Sequence, residues 1–191
     1  MRKERVGFAL CGSFCTHASA LDALAGLTAE YETVIPVVSE TTAATDTRFG
    51  TAQALLEKLE ELTGRPALRS IRETEPFGPK GLLDVLVIAP ATGNTLAKLA
   101  AGIADTAVTM AAKAHLRNSR PVVLAVSSND ALAAGARNIG ELLARKQYYF
   151  VPFRQDSPAG KPASLVADFS LLGKTVDAAL RGEQIQPLLL A

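Results

Sequence analysis

A four-residue apolar run, VLVI at residues 85–88, leads without interruption into APATGNTLAKLAAGIAD at residues 89–105. A run of this kind, with no polar alternation, belongs in the middle of a parallel sheet, covered on both faces. Pro90 has no amide hydrogen to give the ladder, so the chain is expected to leave the sheet there. Thr92, Gly93, Asn94 and Thr95 then precede a helix expected to start near Leu96. Short polar side chains and a glycine at the carboxyl end of a strand present hydroxyls and amide hydrogens where open α/β sheets take their ligands. The same residues suit an ordinary βα loop in which an Asn or Thr only caps the helix. Both readings of the segment stand at this level.

The remainder alternates between strand and helix patterns. Residues 6–10 form a first apolar strand, followed by Cys11, Gly12 and Ser13 and a helix to about Ala29, with Leu21, Leu24 and Leu27 in its apolar rows. Residues 34–38 (VIPVV) read as a second strand, and Pro36 within it favours an edge or an irregularity. Residues 39–49 are polar and loop-like. A helix over about 50–62 carries Ala52, Leu55, Leu56, Leu59 and Leu62 on one side and stops at Gly64. Residues 67–71 suggest a short strand and 75–81 a turn-rich connection. After the organising strand come helices to about Ala101 and over 105–117, a strand at 122–126, the loop 127–130 and a helix to Lys146. A strand at 148–151, a loop at 152–162, a helix over 164–180 and an apolar tail at 185–191 complete the chain.

Such alternation implies a parallel sheet with right-handed crossovers and helices on both faces, a three-layer α/β/α arrangement of Rossmann-like or flavodoxin-like type. With 191 residues, of which 48% are apolar and 20% charged, the chain can bury one sizeable core, and a single domain spanning 1–191 is expected. The formal net charge of +1 gives no electrostatic footprint for nucleic acid or an anionic membrane, which leaves small molecules as the expected ligands. No apolar run approaches the ~18 residues of a membrane span, and the N-terminus passes from charge directly into a strand, so a cytoplasmic protein is expected. Two cysteines, Cys11 and Cys15, are too few and too close for a disulfide framework.

Three polar loops follow three strands and should gather at one end of the sheet. They offer Gly12, Ser13 and Thr16; Ser39, Thr41 and Thr42; and Thr92, Gly93, Asn94 and Thr95. A glycine allows close approach of backbone to phosphate, and a helix N-terminus favours the negative charge. The dinucleotide pattern G-x-G-x-x-G is absent, and no acidic residue closes the second strand, although Glu40 lies just beyond it. A mononucleotide phosphate therefore suits these loops better than NAD. The low charge among them points to a flat, mostly neutral ligand with one anionic end.

The combination of APATGNTLAKLAAGIAD with a GSF turn after the first strand resembles the flavoprotein family that includes the flavin-containing cysteine decarboxylases. Its members carry a similar Pro-Ala-Ser/Thr-x-Asn-Thr segment before Lys-Leu-Ala and Gly-Ile-Ala-Asp. The resemblance covers essentially the whole chain, and VSSND at 126–130 with VPFRQDSPAGKPASLVAD at 151–168 places it nearest to one branch. Two features depart from the decarboxylases. Their Pro-x-Met-Asn segment is replaced by Ser127, Ser128 and Asn129, and their cysteine-bearing substrate flap has no counterpart, since both cysteines lie before residue 16. Both departures argue against oxidative decarboxylation of a cysteine and leave the flavin fold standing.

The branch implies an oxidoreductase subunit that converts a dihydropyridine-type dicarboxylate of the lysine pathway into an aromatic pyridine dicarboxylate, together with a second subunit. It implies FMN across the three loops, its phosphate near Gly12 and Ser13 or Ser39, its ring near Thr92, Gly93, Asn94 and Thr95, with Thr42 a further cofactor-binding residue. A nicotinamide cofactor, NAD(P), carried by the partner subunit is the other route for the hydride. Homo-oligomers with ligand sites at boundaries between protomers are implied as well. Flavin-dependent decarboxylation of another acid, and a non-catalytic role in stabilising the partner, are the competing functions.

A dianionic substrate needs cationic or N–H partners. Arg154 and Lys161 lie in the segment distinctive of the branch, and Asn129 stands at the position of the family's asparagine. Solvated loop charges and a helix cap are the alternatives for these three. His17, about a turn beyond the first loop, is the candidate general acid or base, against packing or capping without catalytic duty. Cys11, Cys15 and His17 lack C-x-x-C spacing and a fourth ligand, so no metal is expected and buried thiols are. His115 sits near a helix C-terminus, where it favours the dipole.

Overall fold

The computed structural model describes residues 1–191. In chain order the elements are β1 (Arg2–Leu10), α1 (His17–Glu30), β2 (Tyr31–Val38), α2 (Glu40–Ala44), α3 (Ala52–Thr63), α4 (Ile71–Thr74), β3 (Val85–Ala91), α5 (Gly93–Ala101) and α6 (Ala107–Leu116). They continue with β4 (Val122–Ser128), α7 (Ala136–Leu143), β5 (Tyr148–Phe150), β6 (Phe153–Ser157), β7 (Lys161–Ala167) and α8 (Leu172–Leu180). Parallel pairing gives the order β2-β1-β3-β4-β5, and β7 and β6 extend the sheet by antiparallel pairing onto the end of β4. This is a Rossmann-like, flavodoxin-like α/β fold with a mixed edge.

All seven residues of β3 are buried, and the strand touches α1 and α8 as well as α6. That is the environment its unbroken apolar run demands, covered on both faces. The helices form two packed groups, α1 with α3 and α8, and α6 with α4 and α5, the latter also touching α7. A continuous cluster of 45 buried residues fills the space between them and the sheet. Pro36 lies on β2 at the sheet edge, where its carbonyl accepts the Leu68 amide at 2.9 Å. No helix is long and apolar enough to cross a membrane.

Several segments differ from the sequence reading. β3 continues through Pro90 to Ala91, with its register against β4 shifting between Ile88 and Ala91, so the strand delivers Thr92 directly to the helix as its N-cap. α5 accordingly begins at Gly93 rather than near Leu96. Within the polar stretch 39–49 a short helix, α2, forms because the Ser39 hydroxyl accepts the Thr42 amide at 3.3 Å. The strand expected at 67–71 reduces to a single bridge between Leu68 and Val37.

The largest difference is the C-terminal third. Residues expected as a loop followed by one long helix form the hairpin β6–β7, and the helix is confined to Leu172–Leu180. In β7 the sequence KPASLVA pairs Leu165 and Val166 with Ser128 and Ser127 of β4, and this pairing outweighs any helical preference of the segment. The apolar tail packs against the body, with the Phe153 amide donating to Leu188 O at 3.0 Å and the Leu190 amide to Phe153 O at 2.9 Å.

Candidate functional site

The carboxyl ends of β1, β3 and β4 lie side by side, and side-chain hydrogen bonds tie their loops together. Ser13 Oγ donates to Ser127 O at 2.6 Å, joining the loop after β1 to the end of β4. Thr16 Oγ1 donates to Ser13 O at 2.9 Å and lies 3.2 Å from Ser127 Oγ. Behind them, Thr95 Oγ1 donates to Cys11 Sγ at 3.2 Å, which links the loops after β1 and β3. The Thr92 hydroxyl caps α5 by accepting the Thr95 amide at 3.2 Å. The loop after β4 presses against Gly93, where a Cβ would meet Asp130 Oδ1 at 2.7 Å and Ser128 Oγ at 2.8 Å. A larger residue at 93 would have to displace these two side chains.

These loops form one side of an open cleft of about 1000 Å³. Gly12, Ser13, Thr92, Gly93, Asn94 and Asn129 line it, together with Lys161 on the hairpin. Most of the polar groups are neutral hydroxyls and amides. The charges in the lining are Arg48, Lys161, Asp130 and Asp156, so cations and carboxylates balance. Lys161 Nζ donates to Asp156 Oδ2 at 2.7 Å, and this bond raises the lysine above its usual range. The Ser128 hydroxyl donates to the Asp130 carboxylate.

The other expected residues lie outside this cleft. Ser39 caps α2, and its hydroxyl donates to the fully buried Thr42 at 2.9 Å. Thr42 and His17 line an adjoining cavity of about 290 Å³, bounded also by Phe14, Cys15 and Phe49. Thr95 is buried beneath the cleft. Arg154 donates to Asp168 at 2.6 Å and borders a third cavity of about 640 Å³ beside α1.

His17 Nε2 lies 2.8 Å from Cys11 O, and since a carbonyl only accepts, Nε2 carries the hydrogen and Nδ1 is the basic nitrogen. Burial lowers the imidazole below its usual range, opposed by that carbonyl, so the ring is neutral near pH 7. The ring also lies against Phe14, with centroids 5.1 Å apart. Cys11 is buried and its thiol is pushed up to about 11 by desolvation. Cys15 is exposed, contrary to the expectation of two buried thiols. No group of three or more His, Cys, Asp or Glu side chains is placed to hold a metal ion.

Sequence reasoning missed Arg48, Phe49, Asp130, Asp156 and Ser164, all of which line the cleft. For Asp156 and Ser164 no local signal is available, since the residues of the hairpin suit a loop and become strands only by pairing with β4. For Phe49 the signal is a large aromatic standing alone in a polar stretch; it is 54% exposed.

Comparison with known proteins agrees with this geometry. The flavoprotein family model matches residues 1–160. The B subunit of dipicolinate synthase from Bacillus subtilis (strain 168) is 46% identical over 189 residues, 99% of this chain and 94% of the relative. The crystal structure of the B subunit of dipicolinate synthase from Bacillus halodurans C superposes with a TM-score of 0.90 at 46% identity, covering 98% of this chain and 96% of that one. The FMN-dependent cysteine decarboxylase SpaF superposes with a TM-score of 0.66 at 27% identity, over 92% and 97% of the two chains. With the family model spanning most of its length and a neutral, loop-built cleft at its strand ends, this chain belongs to the flavoprotein family.

Proposed function

We propose that the chain acts as the B subunit of dipicolinate synthase, taking part in the cytoplasm in the oxidation of a dihydrodipicolinate-type lysine-pathway intermediate to dipicolinic acid during sporulation. The observation that carries this reading is the 46% identity to the Bacillus subtilis B subunit over 99% of the chain. That kinship extends past the family model, which ends at residue 160, through the β7 wall of the cleft.

The cleft fits FMN in size and chemistry, since its volume is at the upper end of the range for cofactor pockets and its lining is dominated by hydroxyls, amides and glycine. When bound, FMN supplies a two-electron acceptor for the hydride lost as the ring becomes aromatic. Gly12 and Ser13 would hold its phosphate, and Thr92, Gly93 and Asn94 its ring. The Asp130 carboxylate against Gly93 disfavours a second anion at that end, which supports phosphate binding beside the β1 loop. Thr95 supports these loops through its hydrogen bond to Cys11, while the hydrogen bonds of Ser39 and Thr42 hold the start of α2 after the second strand.

Asn129 and Lys161 would bind the dicarboxylate substrate, the lysine exchanging Asp156 for a substrate oxygen. His17, neutral with Nδ1 as its basic nitrogen, is the candidate to accept a proton. The reading includes self-association and the A subunit of dipicolinate synthase as partner, which can carry NAD(P) as the final electron acceptor.

The test is the visible spectrum of the purified chain, with added FMN and then with substrate in the presence of the partner. A bound flavin that bleaches on substrate addition is expected. A chain that takes up no flavin, alone or with its partner, defeats the FMN mechanism.

A further inference from the structure

The proposed substrate carries two carboxylates and calls for two cations, and the role argued here for Arg48 rests on that proposed function. The cleft lining holds two cations, Lys161 and Arg48. They approach from different ends of the sheet. Lys161 begins β7 in the antiparallel extension, whereas Arg48 lies between α2 and α3, in the segment that follows the edge strand β2. Arg154, the other arginine in the hairpin, is held by Asp168 and borders a separate cavity.

Arg48 makes no ion pair, unlike Lys161. Its guanidinium carbon lies 4.9 Å from the centroid of the adjacent Phe49 ring, and that ring is itself part of the cleft wall. Stacking of a guanidinium on an aromatic face uses its plane and leaves the N–H edge free to take a carboxylate with two parallel bonds. An unpaired, pre-oriented guanidinium faces little competition for an incoming carboxylate. Lys161 must give up Asp156 first.

We infer that Arg48 is a substrate-binding residue, its guanidinium taking one ring carboxylate and Lys161 the other, so that the cleft selects a flat dicarboxylate over a monocarboxylate. Phe49 holds Arg48 in place for this contact. Residues 45–51, which carry no obvious motif, thereby become the specificity-determining wall of the site.

The experiment uses the full chain loaded with FMN and joined to its partner, titrated with pyridine-2,6-dicarboxylate and with pyridine-2-carboxylate. Wild type should prefer the dicarboxylate. Arg48→Ala should weaken dicarboxylate binding about tenfold, the loss of one charge-assisted contact, and bring the two affinities together. Arg48→Lys should restore part of the preference. With substrate, KM should rise while kcat changes little, as for a contact made equally in the ground and transition states. The flavin spectrum should be unaltered in both variants. A preference retained in Arg48→Ala overturns the inference and leaves the proposed function intact. Loss of flavin from Arg48→Ala assigns the residue to the cofactor and also overturns it. A wild-type complex that binds neither ligand overturns the proposed function and this inference with it.

Discussion

The hydroxyl of Ser13 donates to the carbonyl of Ser127 at 2.6 Å, so the loop after the first strand and the end of the fourth form one rigid rim above the third. Ser127 is 6% exposed, and water replaces that donor poorly. Ser13→Ala should cost about 1 kcal/mol, a fall in Tm of about 2–4 °C in a chain of this size. FMN affinity should fall as well, because the rim carries the proposed phosphate contact. Thermal unfolding and a flavin titration measure both, and an unchanged Tm would show that the bond contributes nothing to the rim.

Glu40 is expected to act at a distance from its own loop. Its Oε1 accepts the Ala107 amide at 2.9 Å, at the first turn of α6, where a carboxylate meets both an unpaired N–H group and the positive helix end. Glu40→Gln keeps an acceptor and loses the charge, whereas Glu40→Ala loses both. The expected destabilisations are a few tenths of a kcal/mol and about 1 kcal/mol, in that order. Denaturant unfolding that ranks the two variants the other way would remove the helix-end role.

Glu40 also shows how far the sequence is legible. Its position just past the second strand is plain from the pattern, but its actual partner, an amide 67 residues away, follows from tertiary packing that no local pattern records. The β/α alternation is readable because burial on both faces forces apolar runs such as VLVI, and so is the clustering of the loops around Gly12, Ser13, Thr92 and Asn94. The hairpin over 153–167 is not. Its polar, proline- and glycine-containing residues suit a loop, and only pairing with Ser127 and Ser128 makes them strands. The missed wall residues Asp156 and Ser164 follow from that single difference, while Arg48 and Phe49 occupy an irregular segment that periodicity does not address.

His115 gives the fold a pH dependence whose sign is fixed by its surroundings. The side chain is fully buried on α6 with Nε2 3.0 Å from Pro121 O, and its Nδ1 has no partner. Burial pushes its pKa down to about 4, aided by the nearby Arg120 and opposed by the Pro121 carbonyl and Asp84. The unfolded chain, with an ordinary value near 6.5, takes up the proton first. Stability is therefore complete above about pH 6.5 and falls as the pH drops towards 4, by up to about 3 kcal/mol from this residue. His115→Gln retains a donor for Pro121 and cannot titrate. Urea midpoints at pH 7 and pH 4.5 should fall less between the two conditions in the variant than in wild type, and equal falls would assign the acid sensitivity elsewhere.

Arg154 and Lys161 lie on the same hairpin, and the structure sets them apart. Arg154 donates to Asp168 across β6 and β7 at the border of the cavity beside α1, while Lys161 lines the main cleft. Asp168 does not depend on Arg154 for its structural role, because its carboxylate caps the turn at 169–171, accepting from the Ser170 amide at 3.1 Å and the Ser170 hydroxyl at 2.6 Å. The Ser170 hydroxyl is also the largest influence holding Asp168 below the usual carboxylate range. With Arg154 44% exposed, its ion pair contributes at most about 1 kcal/mol. Arg154→Ala should therefore lower stability only slightly and leave the KM for the dicarboxylate unchanged, whereas Lys161→Ala should raise KM severalfold. Steady-state kinetics on the two variants with the partner present would decide the matter, and a KM that rises as much in Arg154→Ala as in Lys161→Ala would return Arg154 to the substrate site.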